Sequence, residues 1–344
     1  MARVDIVVPC YNYAHFLEAC VQSALAQEEV EVNVLLIDDG STDRSAEVAS
    51  ALSDRDPRVR LISLPKNVGM IPAVNRGIEE TTGEYFVKLD ADDLLAPGSL
   101  KRSVSLLERH PDVGFVYGRP RHFTGSVPPR PRAGRPRWTI WPGAGWFALR
   151  CRLGVNCISQ PEAVIRSSTL RMVGAYNARL PHTSDLEMWL RLAAVSDVGR
   201  INGVDQGYYR VHPDSMQRTT NSGPMADLVG RRDSFLSVFS TLGDRLPEAA
   251  QLEATVRRRL AAQALDYVCW TYDRDRAKPE LDDKLIEFAV ATYSAVETLP
   301  EWQGLKRRRR RGRRSRWAPN SLVAALLRRG YGEFAHFRWL RTGV

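Results

Sequence analysis

Asp90-Ala91-Asp92-Asp93 closes the run Tyr85-Phe86-Val87-Lys88-Leu89, which reads as a buried strand. Carboxylates at the carboxyl end of such a strand suit a hard divalent cation, Mn2+ or Mg2+, because those ions take oxygen ligands. A cation held by only a few carboxylates keeps positions free for phosphate oxygens. An acidic turn is the plain alternative, since Asp is common in loops. Three more polar groups follow apolar runs: Pro9-Cys10-Tyr11-Asn12, Asp38-Asp39-Gly40-Ser41-Thr42-Asp43 and Asn67-Val68-Gly69. Asp38 or Asp39 can accept hydrogen bonds from a base or ribose, and Tyr11 can offer a flat face to a base. The simpler reading of residues 38–43 is a helix cap, with Ser41 or Thr42 expected to start the helix leading to Val48 and Leu52.

These groups need elements to hold them. Val4-Asp5-Ile6-Val7-Val8, Val32 to Ile37 and Val59 to Leu64 are apolar runs too short for helices. Pro9, Asp38 and Pro65 end them. Leu17, Val21, Ala24 and Leu25 fall on one helical face between the first two runs. Near-continuous apolar strands alternating with helices imply a mostly parallel sheet covered on both faces. Ligands of such sheets bind at the carboxyl ends of the strands, where all four polar groups fall. Further on, Thr183 to Ala193 reads as a helix with Leu186, Trp189, Leu190 and Ala193 on its apolar face. Asp185 lies in its first turn, and a simple N-cap at Ser184 or Asp185 is the competing reading. Trp189 fits the apolar stripe and is expected in the core.

Taken in order, Val7-Val8-Pro9-Cys10-Tyr11-Asn12, Asp38 to Asp43, Asn67-Val68-Gly69 with Asn75-Arg76-Gly77, and Asp90-Ala91-Asp92-Asp93 resemble the family 2 inverting glycosyltransferases. The resemblance implies a GT-A nucleotide-sugar fold with a mostly parallel central sheet. It implies that Pro9, Tyr11, Asn12, Asp38, Asp39, Asn67 and Asp90 face the donor, a nucleotide-diphosphate sugar. It implies that Asp92 holds the metal, and that His212, in Tyr208-Tyr209-Arg210-Val211-His212-Pro213, returns to the metal or diphosphate. A surface turn is the other reading of His212. The family's general base is an Asp before a Trp-containing helix, which Asp185 matches, with Glu187 a weaker candidate. Two departures stand out: Ser184 replaces a frequent Glu, and Val74 stands where a basic residue often precedes Asn75. Lys66, Arg76 or Lys88 are the alternatives for a phosphate contact. A sugar-phosphate nucleotidyltransferase is the rival enzyme reading, but Pro9 to Asn12 is not a Gly-rich basic phosphate loop. A non-catalytic glycan or nucleic-acid binder is the third.

The 344 residues suit one catalytic domain, expected over residues 1–220, a helical extension over 221–305 and a tail over 306–344. Leu228, Phe235, Val238 and Phe239 mark apolar helical faces in the extension. The five cysteines show no metal spacing, which favours a reduced, cytoplasmic setting. No secretory leader is read before the first strand. The tract Lys306 to Arg316 holds nine basic residues and no acid, and without it 40 basic residues balance 40 acidic ones. Leu322, Val323, Leu326 and Leu327, then Tyr331, Phe334, Phe337, Trp339 and Leu340, follow it. A basic cluster beside such a segment suits the anionic inner face of a membrane, and a lipid-linked or glycan acceptor fits that setting. Nucleic acid is the less favoured partner. A second basic stretch, Arg119 to Arg137, reads as a solvated insertion or as a loop over the donor or acceptor.

Overall fold

The computed structural model describes residues 1–212, 223–274, 276 and 278–311. The chain divides into two compact units. Among the described residues, the first comprises residues 1–146 and 157–212, the second residues 147–156 and those from 223 to 311.

The first unit is built on an eight-stranded sheet in the order β3-β2-β1-β4-β9-β6-β10-β8. Its strands are β1 (Arg3–Cys10), β2 (Glu31–Asp38), β3 (Val59–Ser63), β4 (Tyr85–Lys88), β6 (Val113–Tyr117), β8 (Arg137–Trp141), β9 (Val164–Arg166) and β10 (Asp197–Asn202). β3, β2, β1 and β4 are mutually parallel, and β9 and β8 run against their neighbours. The expected mostly parallel sheet is therefore present.

Alternation along β1 explains the two covered faces. Val4, Ile6 and Val8 join the core that holds Leu17, Cys20, Val21 and Ala24 of α1 (Ala14–Leu25) and Ala49 and Leu52 of α2 (Ser45–Arg55). Val7 points the other way, toward α3 (Met70–Glu79), where Gly77 lies so close that a β-carbon would sit 2.5 Å from the Val7 side chain. Only glycine permits that approach. Val74, the departure noted above, is fully buried in α3 and unavailable to a ligand.

β1 runs two residues past its expected end. Pro9 pairs with Ile37 and Cys10 with Asp38. The proline is tolerated because β4 leaves β1 after Val7 pairs with Lys88, so one side of β1 no longer needs an amide at Pro9. The start of α2 also differs from expectation. Its N-cap is Arg44, without a side-chain cap, and neither Ser41 nor Thr42 caps it. Both serve the site instead.

A small second sheet joins β5 (Leu94–Leu95), β11 (Gly207–Arg210) and β7 (Pro120–Phe123). It carries the chain from the acidic turn to His212. α4 (Ser99–Arg109), α6 (Ser167–Val173) and α7 (Ser184–Ala193) complete this unit, and α5 (Gly143–Leu153) crosses the division between units.

In the second unit, α9 (Ala249–Asp273) packs on α8 (Pro224–Leu242), α10 (Pro279–Thr292) and α11 (Pro300–Arg311). Leu228, Phe235, Val238 and Phe239 are buried in it, as their spacing predicts. The first six residues of the basic tract do not begin a separate tail; they continue α11. Arg308 there makes two 2.8 Å bonds to Asp273, and the pair is largely buried. Lys306, Arg307, Arg309 and Arg310 are exposed. The expected amphipathic segment from Leu322 to Leu340 lies outside the described residues. No helix among them is long and apolar enough to cross a membrane.

Candidate active site

The strand ends are laced together before any ligand is considered. Asn12 follows β1 with φ of 60°, a left-handed conformation that Asn tolerates better than most residues. Its side-chain oxygen accepts from the Thr42 and Asp43 amides at 2.8 and 3.2 Å, and its own amide donates to Ser41 Oγ at 3.1 Å. Asp39 is buried and accepts from the Val68 and Gly69 amides at 2.7 and 2.9 Å. Gly40, at φ 66°, passes so close to Lys66 that a β-carbon would lie 2.6 Å from its carbonyl carbon. Asn12 and Asp39 thus shape the edge of the first three strands, with Asp39's oxygens both engaged by the Asn67 loop. Asp38 is buried and carries one long bond, from the Ser41 amide at 3.4 Å. Pro9 is buried under this rim, Tyr11 is 40% exposed on it, and Asn67 is exposed with its side chain on the Gly69 amide.

Two of the three candidate phosphate cations are committed elsewhere. Arg76 pairs with Glu79 and Glu80 on the surface of α3. Lys88 is fully buried. Lys66 is exposed.

The acidic turn is fixed from several directions. Cys20 Sγ donates to the Asp90 carbonyl at 3.5 Å. Arg210 donates its amide to Asp93 Oδ1 at 2.8 Å and its Nε to the Asp92 carbonyl at 2.7 Å. Its guanidinium also bonds the Gly125 carbonyl and lies 4.5 Å from the ring centroids of both Phe16 and Phe123. The strand that holds Arg210 delivers His212, whose Nε2 lies 2.9 Å from Asp92 Oδ2. These side chains are 10% and 16% exposed. The structure thus brings His212 to Asp92. Burial and the neighbouring Asp90 charge raise the Asp92 carboxyl above its ordinary range, against the His212 hydrogen bond. Asp93, fully enclosed beside Asp92 and Asp90, is pushed well up.

Asp185 stands in the first turn of α7, and its side chain keeps 29% exposure. Lys88 Nζ, with no exposure, lies 2.9 Å from Asp90 Oδ1 and 3.7 Å from Asp185 Oδ1. Burial raises the Asp185 carboxyl, Lys88 draws it down, and Asp90 adds to the rise. Burial works against the Lys88 ammonium, but the two carboxylates outweigh it and its pKa is raised. Glu187, the weaker candidate base, faces another way. It is buried on Arg191 at 2.8 Å, and that guanidinium also holds the carbonyls of Val173, Gly174 and Ala175. Trp189 is fully buried and stacked on Phe115 at 5.6 Å, in the core as expected.

Tyr176 lies beside this cluster and belongs to none of the motifs, whereas Lys88, Arg210 and Asp93 were named in them without these contacts. Tyr176 is buried, and Asn75 grips its backbone with bonds of 2.8 and 2.9 Å. The Arg119–Arg137 stretch is anchored by Asp205, which accepts the Arg132 amide at 3.0 Å and faces the Arg121 and Arg132 guanidiniums at 3.6 and 3.5 Å.

Residues 5–169 match the family described as Glycosyl transferase family 2. Chondroitin synthase of Pasteurella multocida (strain Pm70) is 28% identical over 204 residues, 58% of this chain and 20% of that protein. This chain therefore spans about a fifth of the length of that synthase. Glycosyltransferase GlyG of Streptococcus pneumoniae serotype 4 is 38% identical over 115 residues, 33% of this chain and 38% of its own. The structure of S. aureus TarS 1–349 with UDP-GlcNAc superposes with a TM-score of 0.63 at 14% identity, covering 95% of this chain and 92% of that one. Mannosyltransferase PcManGT from Pyrobaculum calidifontis, with GDP-Man and Mn2+, gives 0.51 at 16% identity, covering 89% and 84%. The match over residues 5–169, with the strand-end motifs and the GT-A architecture, supports a likeness of this chain to glycosyl transferase family 2.

Proposed function

We propose that this chain transfers a sugar from a nucleotide-diphosphate sugar to a hydroxyl acceptor, with inversion at the anomeric carbon and the help of a divalent cation. One observation carries the reading. A carboxylate–imidazole pair, Asp92 and His212, and a second carboxylate, Asp185, converge on the end of β4, joined through Asp90 and Lys88. That is one group for the donor's diphosphate and one for the acceptor's proton.

The residues fit a cation of the Mn2+ or Mg2+ class. Asp92 offers an oxygen and His212 a ring nitrogen, and no group of three or more His, Cys, Asp or Glu forms a closed cage among the described residues. Two protein ligands leave room for phosphate oxygens and water. A bound cation supplies positive charge against the growing negative charge of the leaving diphosphate. The protein's own groups do the rest. Tyr11 presents its ring, and Asp38 its carboxylate, at the rim where a base would lie. Asp185 accepts the proton of the attacking hydroxyl. The new bond joins that oxygen to the anomeric carbon while the bond to the phosphate oxygen breaks, and its electron pair leaves with the diphosphate. A single displacement inverts the carbon and needs no covalent enzyme intermediate.

The UDP-sugar and GDP-sugar of the two solved relatives set the donors to try first. The acceptor class we assign is a glycan or a lipid-linked glycan. Exposed Lys306, Arg307 and Arg310 on α11 support work at an anionic inner membrane face. The test is a screen of nucleotide-diphosphate sugars with Mn2+ or Mg2+, with acceptors free in solution and on anionic vesicles. Release of nucleoside diphosphate with an inverted product is expected, faster on vesicles. Retention of configuration, or no cleavage of any donor, overturns the reading. Equal rates on both acceptor forms remove the membrane part.

A further inference from the structure

We propose that Lys88 is the positioning residue of the base: its buried ammonium fastens the Asp185 carboxylate to the end of β4 and gives it its counter-charge. The proposal rests on Asp185 being the base. Lys88 is the last residue of β4, and its side chain has no exposure, so it is not placed to meet a donor phosphate. It reaches Asp90 at 2.9 Å and Asp185 at 3.7 Å. A lysine is seldom fully buried unless paired, and here the pairing spans the two carboxylates whose like charges would otherwise face each other. Gln160 Nε2 donates to the Lys88 carbonyl at 3.3 Å, which fixes the backbone that carries the ammonium.

The groups facing Asp185 come from three other elements. Lys88 and Asp90 come from β4 and its turn, Tyr176 from the segment before α7, and Tyr209 from β11. Burial and Asp90 both favour the protonated acid, and Lys88 is the one group that opposes them. A base is useful only when ionised. Without Lys88 the carboxylate therefore holds its proton to higher pH, and the acidic limb of the rate profile moves up. Asp185 also loses a tether, which lowers the plateau by a separate and pH-independent amount.

The experiment is the pH profile of kcat/KM for acceptor at saturating donor and cation. Wild type, Asp185→Asn, Lys88→Met, Asp90→Asn and the Lys88→Met/Asp90→Asn double variant are compared. Lys88→Met is expected to move the acidic limb to higher pH, so that on the limb its rate falls roughly tenfold further below its own plateau than wild type does. Should Lys88→Met fail to fold, Asp90→Asn and the double variant make the same comparison with one unpaired carboxylate fewer. The double variant's limb is expected above that of Asp90→Asn. Limbs that coincide in both comparisons, with only a uniform loss of rate, overturn the proposal. Near-normal turnover by Asp185→Asn is a different failure: it removes the base assignment itself, whatever Lys88 does.

Discussion

Asp92 and Asp185 belong to the same end of the sheet but keep different company. Asp92 faces an imidazole, and both side chains retain some exposure. Asp185 faces a lysine with none. An imidazole can be neutral, and it can ligate a cation together with the carboxylate it touches. An ammonium has no lone pair while charged and cannot share a metal. On the proposed reading, the first pair opens around a ligand, and the second stays closed behind the carboxylate that would accept the proton. The proposed division into a donor half and an acceptor half rests on this difference of partners.

The sharpest way to break this division is to neutralise each carboxylate. Asp185→Asn is expected to lower kcat by about two to four orders of magnitude, the usual worth of a positioned base. Its affinity for donor should match wild type, because the lost interaction belongs to the transition state. Turnover with one competent acceptor, beside calorimetry of donor binding, measures both. Weakened donor binding with an intact kcat would reverse the assignment.

Asp92→Asn and His212→Ala should show the opposite pattern. Binding of nucleoside diphosphate in the presence of Mn2+ should weaken roughly 10- to 100-fold, the scale found when a metal's supporting groups are lost. Binding without cation should change little. If calorimetry with Mn2+ gives the wild-type affinity for both variants, the pair does not hold a metal.

Glu187→Gln provides the smallest effect and the control. Glu187 lies two residues from Asp185, yet its partner is Arg191 in a buried i,i+4 pair. The substitution should cost about 1–3 kcal/mol of stability, read by thermal or denaturant unfolding, as a charged hydrogen bond becomes a neutral one. The pH profile of turnover should keep its wild-type limbs. A moved limb would mean that Glu187 exchanges protons with the acceptor.

The sequence made the strand ends readable because apolar runs stop abruptly at polar clusters, and the helix of Asp185 readable because Leu186, Trp189 and Leu190 repeat with helical spacing. Partners across the fold were not readable. Lys88 sits inside an apolar run, where the pattern says only that its neighbours are buried. Its meeting with Asp185 depends on a helix that begins almost a hundred residues later. The grip of Arg210 on the acidic turn was not readable either, because its two aromatic neighbours and that turn come from distant segments. Ser41 and Thr42 matched a cap pattern, but Asn12 competes for the same groups and wins them. Arg308 hid in a run of like residues, where nothing distinguishes the one that turns inward to Asp273 from those that face water.

The lacing of the first three strand ends also bears on how this protein can diverge. Asn12 measures the turn after β2 from one side, and Asp39 measures the turn after β3 from the other. Gly40 leaves no slack where those turns meet. An insertion of one residue between Gly40 and Ser45 would pull amides away from Asn12, and one between Asn67 and Gly69 would pull them away from Asp39. Lengths in these turns are therefore expected to be fixed among descendants of this chain.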